Sequence, residues 1–198
     1  MSDRIRIKDV RVLSDDWYIL KKTTFDFQRS NGDWQTLSRE TYDRGNGATI
    51  LLVNSERRTV ILTRQFRFPA FVNGLTDGFL LEACAGLLDS ADAEETIRRE
   101  VAEETGFHIG PPQKVCELYM SPGSVTEKLY FFIAEYNHDQ RLSEGGGDAA
   151  EGEDIEIVEL SFEEAFAMMR EGRIQDAKTL ILLQHLALTQ PPAPSKVA

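Results

Sequence analysis

A group of glutamates at the end of one helical segment is the part of this sequence best suited to chemistry. The stretch "RREVAEETGF" places Glu100, Glu103 and Glu104 directly before Gly106. At about 100° per residue, the three carboxylates share one face of a helix. Like charges at this spacing repel each other, and an acid in the last turn of a helix costs about 0.3–1 kcal/mol against the helix dipole.

Two interpretations of this acidic face stay open at the level of residue types. One is a solvated surface on an acidic chain, with Arg98 and Arg99 compensating part of the charge. The other is a site for a divalent cation, which would remove the repulsion. Oxygen ligands without His or Cys favour Mg²⁺, with Mn²⁺ as the alternative, over zinc.

The limits of the acidic helix follow from capping signals. Asp92 is a good N-cap residue, and Glu95 three positions later completes an acidic form of the capping box. Gly106 suits the left-handed conformation that ends a helix. The sequence therefore predicts a helix from about residue 93 to residue 105, with the glutamate group in its second half.

The composition narrows the classes of partner. The chain has 198 residues, 41% of them hydrophobic, which suits one domain or one domain with an extension. A net charge of −11 argues against a nucleic-acid partner, because a phosphate backbone requires a basic face. A nucleotide substrate is compatible with this charge if a metal ion screens its phosphates.

Cysteine content and apolar segments point to the compartment. Cys84 and Cys116 are too few for a disulfide framework and are predicted to be small buried residues. No stretch approaches the roughly 20 apolar residues of a membrane span. The sequence therefore predicts a cytoplasmic location and no membrane partner.

Residues 1–45 are predicted to form an N-terminal β unit. Residues 4–12, 17–30 and 34–45 alternate in polarity, and the turn "SNGD" separates the last two, which predicts three antiparallel strands. The glycines of "GNG" mark the boundary with the main body, which is predicted to span residues 46–190. The proline-containing residues 191–198 are predicted to be a flexible tail.

The main body alternates strands and helices. Residues 48–53 and 59–68 predict a buried hairpin, and "GFLLEACAG" predicts one short strand before the acidic helix. The polar residues 139–154, with three consecutive glycines, predict a mobile loop. Ser161 and Glu164 fit a capping box for a further helix. The predicted class is α/β, in the broad sense that includes α+β, with strands predominating.

The acidic helix and its flanks resemble a known motif. The stretch "AGLLDSADAEETIRREVAEETGF" is similar to the Nudix box, G-x5-E-x7-R-E-U-x-E-E-x-G-U, where U is a bulky apolar residue. The half from Arg99 to Phe107 matches throughout. The first half is one residue shorter than the pattern, and its glutamate is replaced by Ala91 or Asp92.

Further stretches narrow the resemblance within the Nudix family. "YDRGNGATILL", "RQFR", "ELYMSPGSVTE" and "FFIAEY" resemble the GDP-mannose pyrophosphatase branch, close to the ADP-ribose pyrophosphatases. This resemblance implies an α/β/α sandwich around a mixed sheet. It also implies Mg²⁺-dependent hydrolysis of a nucleotide sugar, with GDP-mannose giving GMP and mannose 1-phosphate. The alternatives are an ADP-ribose or other ADP-sugar pyrophosphatase, and a catalytically weak nucleotide-sugar binding protein.

The same resemblance implies a set of metal and catalytic residues. Glu100 and Glu104 would ligate the metal together with the backbone carbonyl of Ala85. A loop glutamate would complete the site and could act as general base. Glu153 is favoured for this role and Glu151 is its rival. Glu103 would order metal-bound water.

The substrate residues implied by the resemblance come from both parts of the chain. Arg67 would meet phosphate, and the backbone of Gly86 and Leu87 would approach the pyrophosphate, with Glu104 also next to the substrate. The remaining candidates are Trp17, Ser38, Arg39, Glu40, Glu127 and Lys178. The resemblance also implies that the N-terminal unit exchanges between two subunits of a homodimer and helps to form the base pocket.

Overall fold

The computed structural model of the chain describes residues 3–88 and 92–189 and divides into two compact units. Among the described residues, the first unit combines residues 3–46 with residues 119–128, and the second contains residues 47–118 and 129–189. Ala91 and the predicted tail 191–198 lie outside the described residues.

A three-stranded antiparallel sheet forms most of the first unit. Strands β1 (Ile5–Asp15), β2 (Ile19–Gln28) and β3 (Trp34–Asp43) lie in the order β1-β2-β3. The register runs from Ile19↔Asp43 to Gln28↔Trp34 between β2 and β3. The prediction of three antiparallel strands is therefore confirmed.

The segment 119–128 is attached to the end of β3. The amide of Tyr42 donates to the carbonyl of Ser124 at 2.8 Å, and the amide of Thr126 donates back to Tyr42 at 3.1 Å. The Thr126 hydroxyl donates to Asp43 Oδ1 at 3.0 Å. This segment belongs to the first unit, although it connects two strands of the second.

A mixed seven-stranded sheet organises the described part of the second unit. Its strands are β4 (Gly47–Asn54), β5 (Thr59–Phe66), β6 (Phe79–Glu82), β7 (Cys84–Leu87), β8 (Gln113–Tyr119), β9 (Lys128–Glu135) and β10 (Glu156–Ser161). The main path is β10-β5-β4-β9-β8, with β6 paired to β5 and β7 paired to β4. β4 and β9 are parallel, and the predicted hairpin of β4 and β5 is antiparallel and confirmed.

The stretch "GFLLEACAG" is two strands and not the predicted single one. β6 pairs with β5 up to Glu82, and β7 pairs with β4 from Cys84 onward. Between them, the amide of Ala83 donates to Thr179 Oγ1 at 2.6 Å instead of to a neighbouring strand. The chain therefore changes strand partners at Ala83, which a pattern of apolar residues does not reveal.

Four α-helices complete the described part of the chain: α1 (Phe68–Val72), α2 (Ala93–Thr105), α3 (Phe162–Arg170) and α4 (Ala177–Thr189). α2 has the predicted limits, and Gly106 ends it in the left-handed conformation with φ of 76°. Asp92 occupies the N-cap position, but its side chain makes no capping hydrogen bond, so that part of the prediction is wrong. The capping box of Ser161 and Glu164 is confirmed.

Helices cover the sheet through apolar contacts. Alternate residues of β4, including Ile50 and Leu52, join one buried cluster with Ile97 and Val101 of α2. The intervening residues of β4 point to the opposite face, where α4 contributes the buried Leu182 to the core. This arrangement confirms the mixed-sheet sandwich. None of the described helices has the length and apolarity that a membrane-spanning helix needs.

Candidate active site

Glu104 lies in the last turn of α2 and is 3% exposed. Its Oε2 atom has no hydrogen-bond partner among the described residues. Burial, followed by repulsion from Glu153 and Glu100, raises the pKa of Glu104 to about 8, although the Cys84 thiol and Arg67 act in the opposite direction. A buried polar atom without a partner costs about 1–3 kcal/mol, which points to a ligand that supplies the missing interaction.

Glu100 lies directly against the backbone of β7. A Cβ atom built on Gly86 would overlap the Glu100 carboxylate and Cγ. The pairing of β7 with β4, with Ala85 opposite Thr49, holds this backbone in place. The absence of a side chain at residue 86 therefore makes room for a carboxylate beside the main chain of Ala85 and Leu87.

Glu153 is carried by the glycine-rich segment 139–154, which is attached to the end of α2. The amide of Gly146 donates to the carbonyl of Glu104 at 2.9 Å, and the amide of Gly147 donates to that of Glu103 at 3.2 Å. Gly147 has φ of 80°, and a Cβ there would lie 2.7 Å from Glu153 Cβ. The segment predicted to be mobile thus has a defined attachment beside the glutamate group.

The other two candidate acids lie on different elements of the chain. The Glu103 side chain is about half exposed and lies 3.8 Å from Arg99 Nη1, one turn away on α2. Glu151 ends the short 3-10 turn Ala149–Glu151, two residues before Glu153. Their predicted roles in ordering and activating water stay predictions.

The residues beside Glu104 fit a hard divalent cation. Glu100 and Glu153 both repel the Glu104 carboxylate, so the three acids are electrostatically coupled. Side-chain and backbone oxygens form the donor set that Mg²⁺ prefers. Within residues 3–88 and 92–189, no three Asp, Glu, His or Cys side chains are already gathered as a metal site, so a cation would have to gather them.

Without a divalent cation, Glu104 is expected to lower the free energy of unfolding as the pH rises from about 5 to about 8. The unfolded chain releases this proton near its ordinary pKa of 4.5, whereas the folded protein keeps it until about 8. Between these values, one such group destabilises the fold by up to about 1.4 kcal/mol per pH unit. Mg²⁺ favours the ionised carboxylate, so its stabilising effect should grow over the same interval.

Thermal denaturation across this pH range, in a chelator and in excess Mg²⁺, measures the effect. A Glu104→Gln variant in the chelator should lose much of the wild-type pH dependence, because its amide does not titrate. Equal slopes for the two proteins would contradict the coupling of Glu104 to the folded state.

Glu82 forms a second polar group, which the sequence patterns did not predict. Arg67 donates from Nε to Glu82 Oε1 at 2.7 Å and from Nη2 to Oε2 at 3.1 Å. Lys178 donates to Glu82 Oε2 and, at 3.0 Å, to Asp176 Oδ1. The structure therefore joins two predicted substrate residues, Arg67 and Lys178, through one buried acid.

The environment of Glu82 explains why it stays ionised. Burial alone would raise the pKa of Glu82, but Lys178 and Arg67 outweigh burial and lower the pKa below its ordinary value. The available signal was one acid within the apolar run "FLLEACA", at the end of a strand. Asp176 is easier to identify from the sequence, because an Asp directly before a helical segment is typical of an N-cap. In the structure it accepts a hydrogen bond from the amide of Thr179 at 2.9 Å.

The other predicted substrate residues lie in the first unit. Trp17 is 79% exposed and packs edge-to-face on Tyr18. Ser38, with Arg39 and Glu40, lies on β3, and its hydroxyl is 3.0 Å from that of Thr24. Glu127 lies 3.5 Å from Arg44 Nε. Their roles toward a substrate stay predictions.

The fold and the glutamate site together define a Nudix domain. The family model of the NUDIX domain matches residues 43–183. The model described as the GDP-mannose pyrophosphatase NudK N-terminal domain matches residues 4–42. The chain therefore belongs to the Nudix family, and the resemblance stated from its sequence is confirmed.

Relatives match along nearly the whole chain. A GDP-mannose pyrophosphatase of Pectobacterium atrosepticum is 57% identical over 185 residues, covering 93% of this chain and 95% of that protein. A GDP-mannose pyrophosphatase of Enterobacter sp. is 53% identical, covering 96% and 98%. The solved structure of an ADP compounds hydrolase shares the fold with a TM-score of 0.70 at 18% identity, covering 94% of each chain.

Proposed function

We propose that this protein hydrolyses the pyrophosphate bond of GDP-mannose, giving GMP and mannose 1-phosphate, with Mg²⁺ as the cation and Mn²⁺ as an alternative. The observation that carries the proposal is the buried Oε2 of Glu104, which no described residue meets with a hydrogen bond, on a carboxylate electrostatically coupled to Glu100 and Glu153. Support for this substrate comes from the name of the relatives at 57% and 53% identity.

Four groups would hold the cation: the carboxylates of Glu100, Glu104 and Glu153, and the carbonyl of Ala85. When bound, the cation screens the diphosphate charge and makes water a better nucleophile. This screening is required because the chain carries a net charge of −11 and the substrate is also an anion.

The chain's own residues then bind the diphosphate and move the proton. Arg67 presents a half-exposed guanidinium, a group suited to bidentate contacts with phosphate oxygens. Glu153, with Glu151 as its rival, accepts a proton from water as the water oxygen bonds to the phosphorus atom that carries guanosine. The bond from that phosphorus to the bridging oxygen breaks, and mannose 1-phosphate leaves. Glu103 orders the water.

The nucleotide is proposed to contact the first unit, including its segment 119–128. Trp17 offers an exposed ring, and stacking contributes about 1–3 kcal/mol per base in nucleic-acid binders. Ser38, Arg39 and Glu40 would line the base pocket. Glu127 and Lys178 would contact the sugar nucleotide, and the backbone of Gly86 and Leu87 would approach the pyrophosphate.

The direct test is product analysis with Mg²⁺ and a panel of GDP- and ADP-sugars. GMP and mannose 1-phosphate from GDP-mannose, at the highest kcat/KM in the panel, would support the proposal. A preference for ADP-ribose would overturn the substrate and keep the reaction. Binding of a nucleotide sugar without turnover would instead support the binding-protein alternative.

We also propose a homodimer in which the N-terminal unit contacts a second copy. β1 lies at the edge of its sheet, and it exposes the apolar side chains of Ile5, Ile7, Val10 and Val12. A long exposed apolar edge strand is typical of an interaction surface. Sedimentation at micromolar concentration is expected to show the dimer mass, and a stable, active monomer would contradict this.

The cytoplasmic location and the absence of a nucleic-acid partner stay predictions from the sequence. Fractionation of cells that produce the protein tests the first. Titration with duplex DNA at low salt tests the second, and binding that weakens steeply with salt would contradict it.

A further inference from the structure

We propose that Glu82 is a positioning residue that holds Arg67 and Lys178 together as one cationic group for the substrate diphosphate. This inference rests on the proposed function and adds to it a residue that makes no contact with the substrate. Its starting point is that one carboxylate accepts hydrogen bonds from both cations.

The geometry fixes one edge of the Arg67 guanidinium and leaves another for a ligand. Nε and Nη2 are bound to the two oxygens of Glu82, at 2.7 and 3.1 Å. Among the described residues, no hydrogen bond engages Nη1, and the Arg67 side chain is 41% exposed while that of Glu82 is 4% exposed. The pair therefore has a buried, fixed end at Glu82 and an accessible end at Arg67.

Lys178 is fixed by two acids on different elements. Its ammonium contacts Glu82 at the end of β6 and Asp176 just before α4. Asp176 also accepts from the Thr179 hydroxyl at 2.6 Å, and that hydroxyl in turn accepts from the amide of Ala83. The start of α4 is thus hydrogen-bonded to the residue that follows Glu82. Both cations are therefore held in fixed positions relative to Glu82.

The position of this group relative to the glutamate site favours a role in binding. Only Ala83 and Cys84 separate Glu82 from Ala85, the candidate carbonyl ligand, so Glu82 lies within about 10 Å of the glutamate site along the chain. A buried ion pair is by itself weak evidence for stability, because its desolvation offsets much of its attraction. An anion with several oxygens could meet Arg67 on one side and the cation on the other.

The test measures the affinity for inorganic pyrophosphate in the presence of Mg²⁺, by calorimetry, together with KM and kcat for GDP-mannose. Glu82→Gln is expected to weaken pyrophosphate binding about tenfold and to raise KM by a similar factor, with a smaller change in kcat. The same substitution in a background that carries both Arg67→Gln and Lys178→Gln is expected to change affinity by less than about threefold, because its effect passes through these two cations.

Two control variants distinguish a loss of binding from a loss of folding. Glu82→Asp keeps the charge and should recover part of the affinity. Glu163→Gln removes a matched exposed partner, since Arg58 donates to Glu163 from Nε and Nη2, and should leave the affinity unchanged. Thermal midpoints of all variants are measured alongside.

The outcomes separate this inference from the proposed function. Equal losses in the wild-type background and in the background that lacks both cations would indicate a structural role and overturn the inference. An active wild type whose affinity is unchanged in Glu82→Gln would also overturn it while keeping the function. A wild type that turns over no nucleotide sugar, yet shows a loss of pyrophosphate affinity that depends on the two cations, would overturn the function and keep the inference.

Discussion

Replacing Glu104 by glutamine is expected to reduce hydrolysis of GDP-mannose by about a thousandfold, the upper range for removing one charge-stabilising group. Glu104 is the most buried acid of the site, and its Oε2 has no hydrogen-bond partner within the described part of the chain. An amide of the same shape keeps the packing at the end of α2 and loses the charge that a cation requires. Steady-state kinetics with Mg²⁺ in excess measure the loss.

The fold of the Glu104→Gln variant should persist, because the substitution removes a carboxylate that burial and two neighbouring acids disfavour. Glu95→Gln, on the exposed first turn of the same helix, is the matched control and should keep nearly full activity. Wild-type turnover in Glu104→Gln would count against the whole assignment of the site.

Replacing Gly86 by alanine is expected to lower kcat/KM by about a hundredfold, within the range for changes that displace metal ligands. The added methyl group would overlap the Glu100 carboxylate, which has to rotate away from β7. The backbone of β7 is extended at this residue, so the cost comes from displaced contacts and not from the dihedral angles. Raised Mg²⁺ should restore part of the rate, since the loss begins with weaker cation binding.

The comparison for Gly86→Ala is Gly110→Ala, where an added Cβ meets no atom within 4 Å and φ is not positive. That control should match the wild type in rate and thermal midpoint. If Gly86→Ala kept the wild-type Mg²⁺ dependence, the position of Glu100 beside β7 would not matter for the reaction.

Local signals in the sequence were sufficient for the acidic helix. Gly106 has the one backbone conformation that glycine adopts easily, and it sets the end of α2 where predicted. Asp92 shows the limit of such signals, because the residue type predicted a capping bond that its side chain does not make. A capping propensity describes the preference of a position and does not fix a rotamer.

Contacts between residues far apart in the chain could not be predicted from the sequence. Glu82 and Lys178 are separated by 96 positions, and nothing local to either residue indicates the other. The division of "GFLLEACAG" at Ala83 has the same origin, since the hydroxyl that receives its amide belongs to Thr179. Period-two patterns predict which face of a strand is buried and do not predict which strand lies beside it.

The attachment of residues 119–128 to β3 affects how chimeras of these proteins should be designed. The N-terminal sheet is not a separable module that ends at residue 46, because part of its hydrogen bonding comes from a segment more than seventy positions later. A chimera that exchanges the first strands with those of a relative should carry this distant segment with them. Otherwise, Glu127 would meet a foreign surface in place of Arg44.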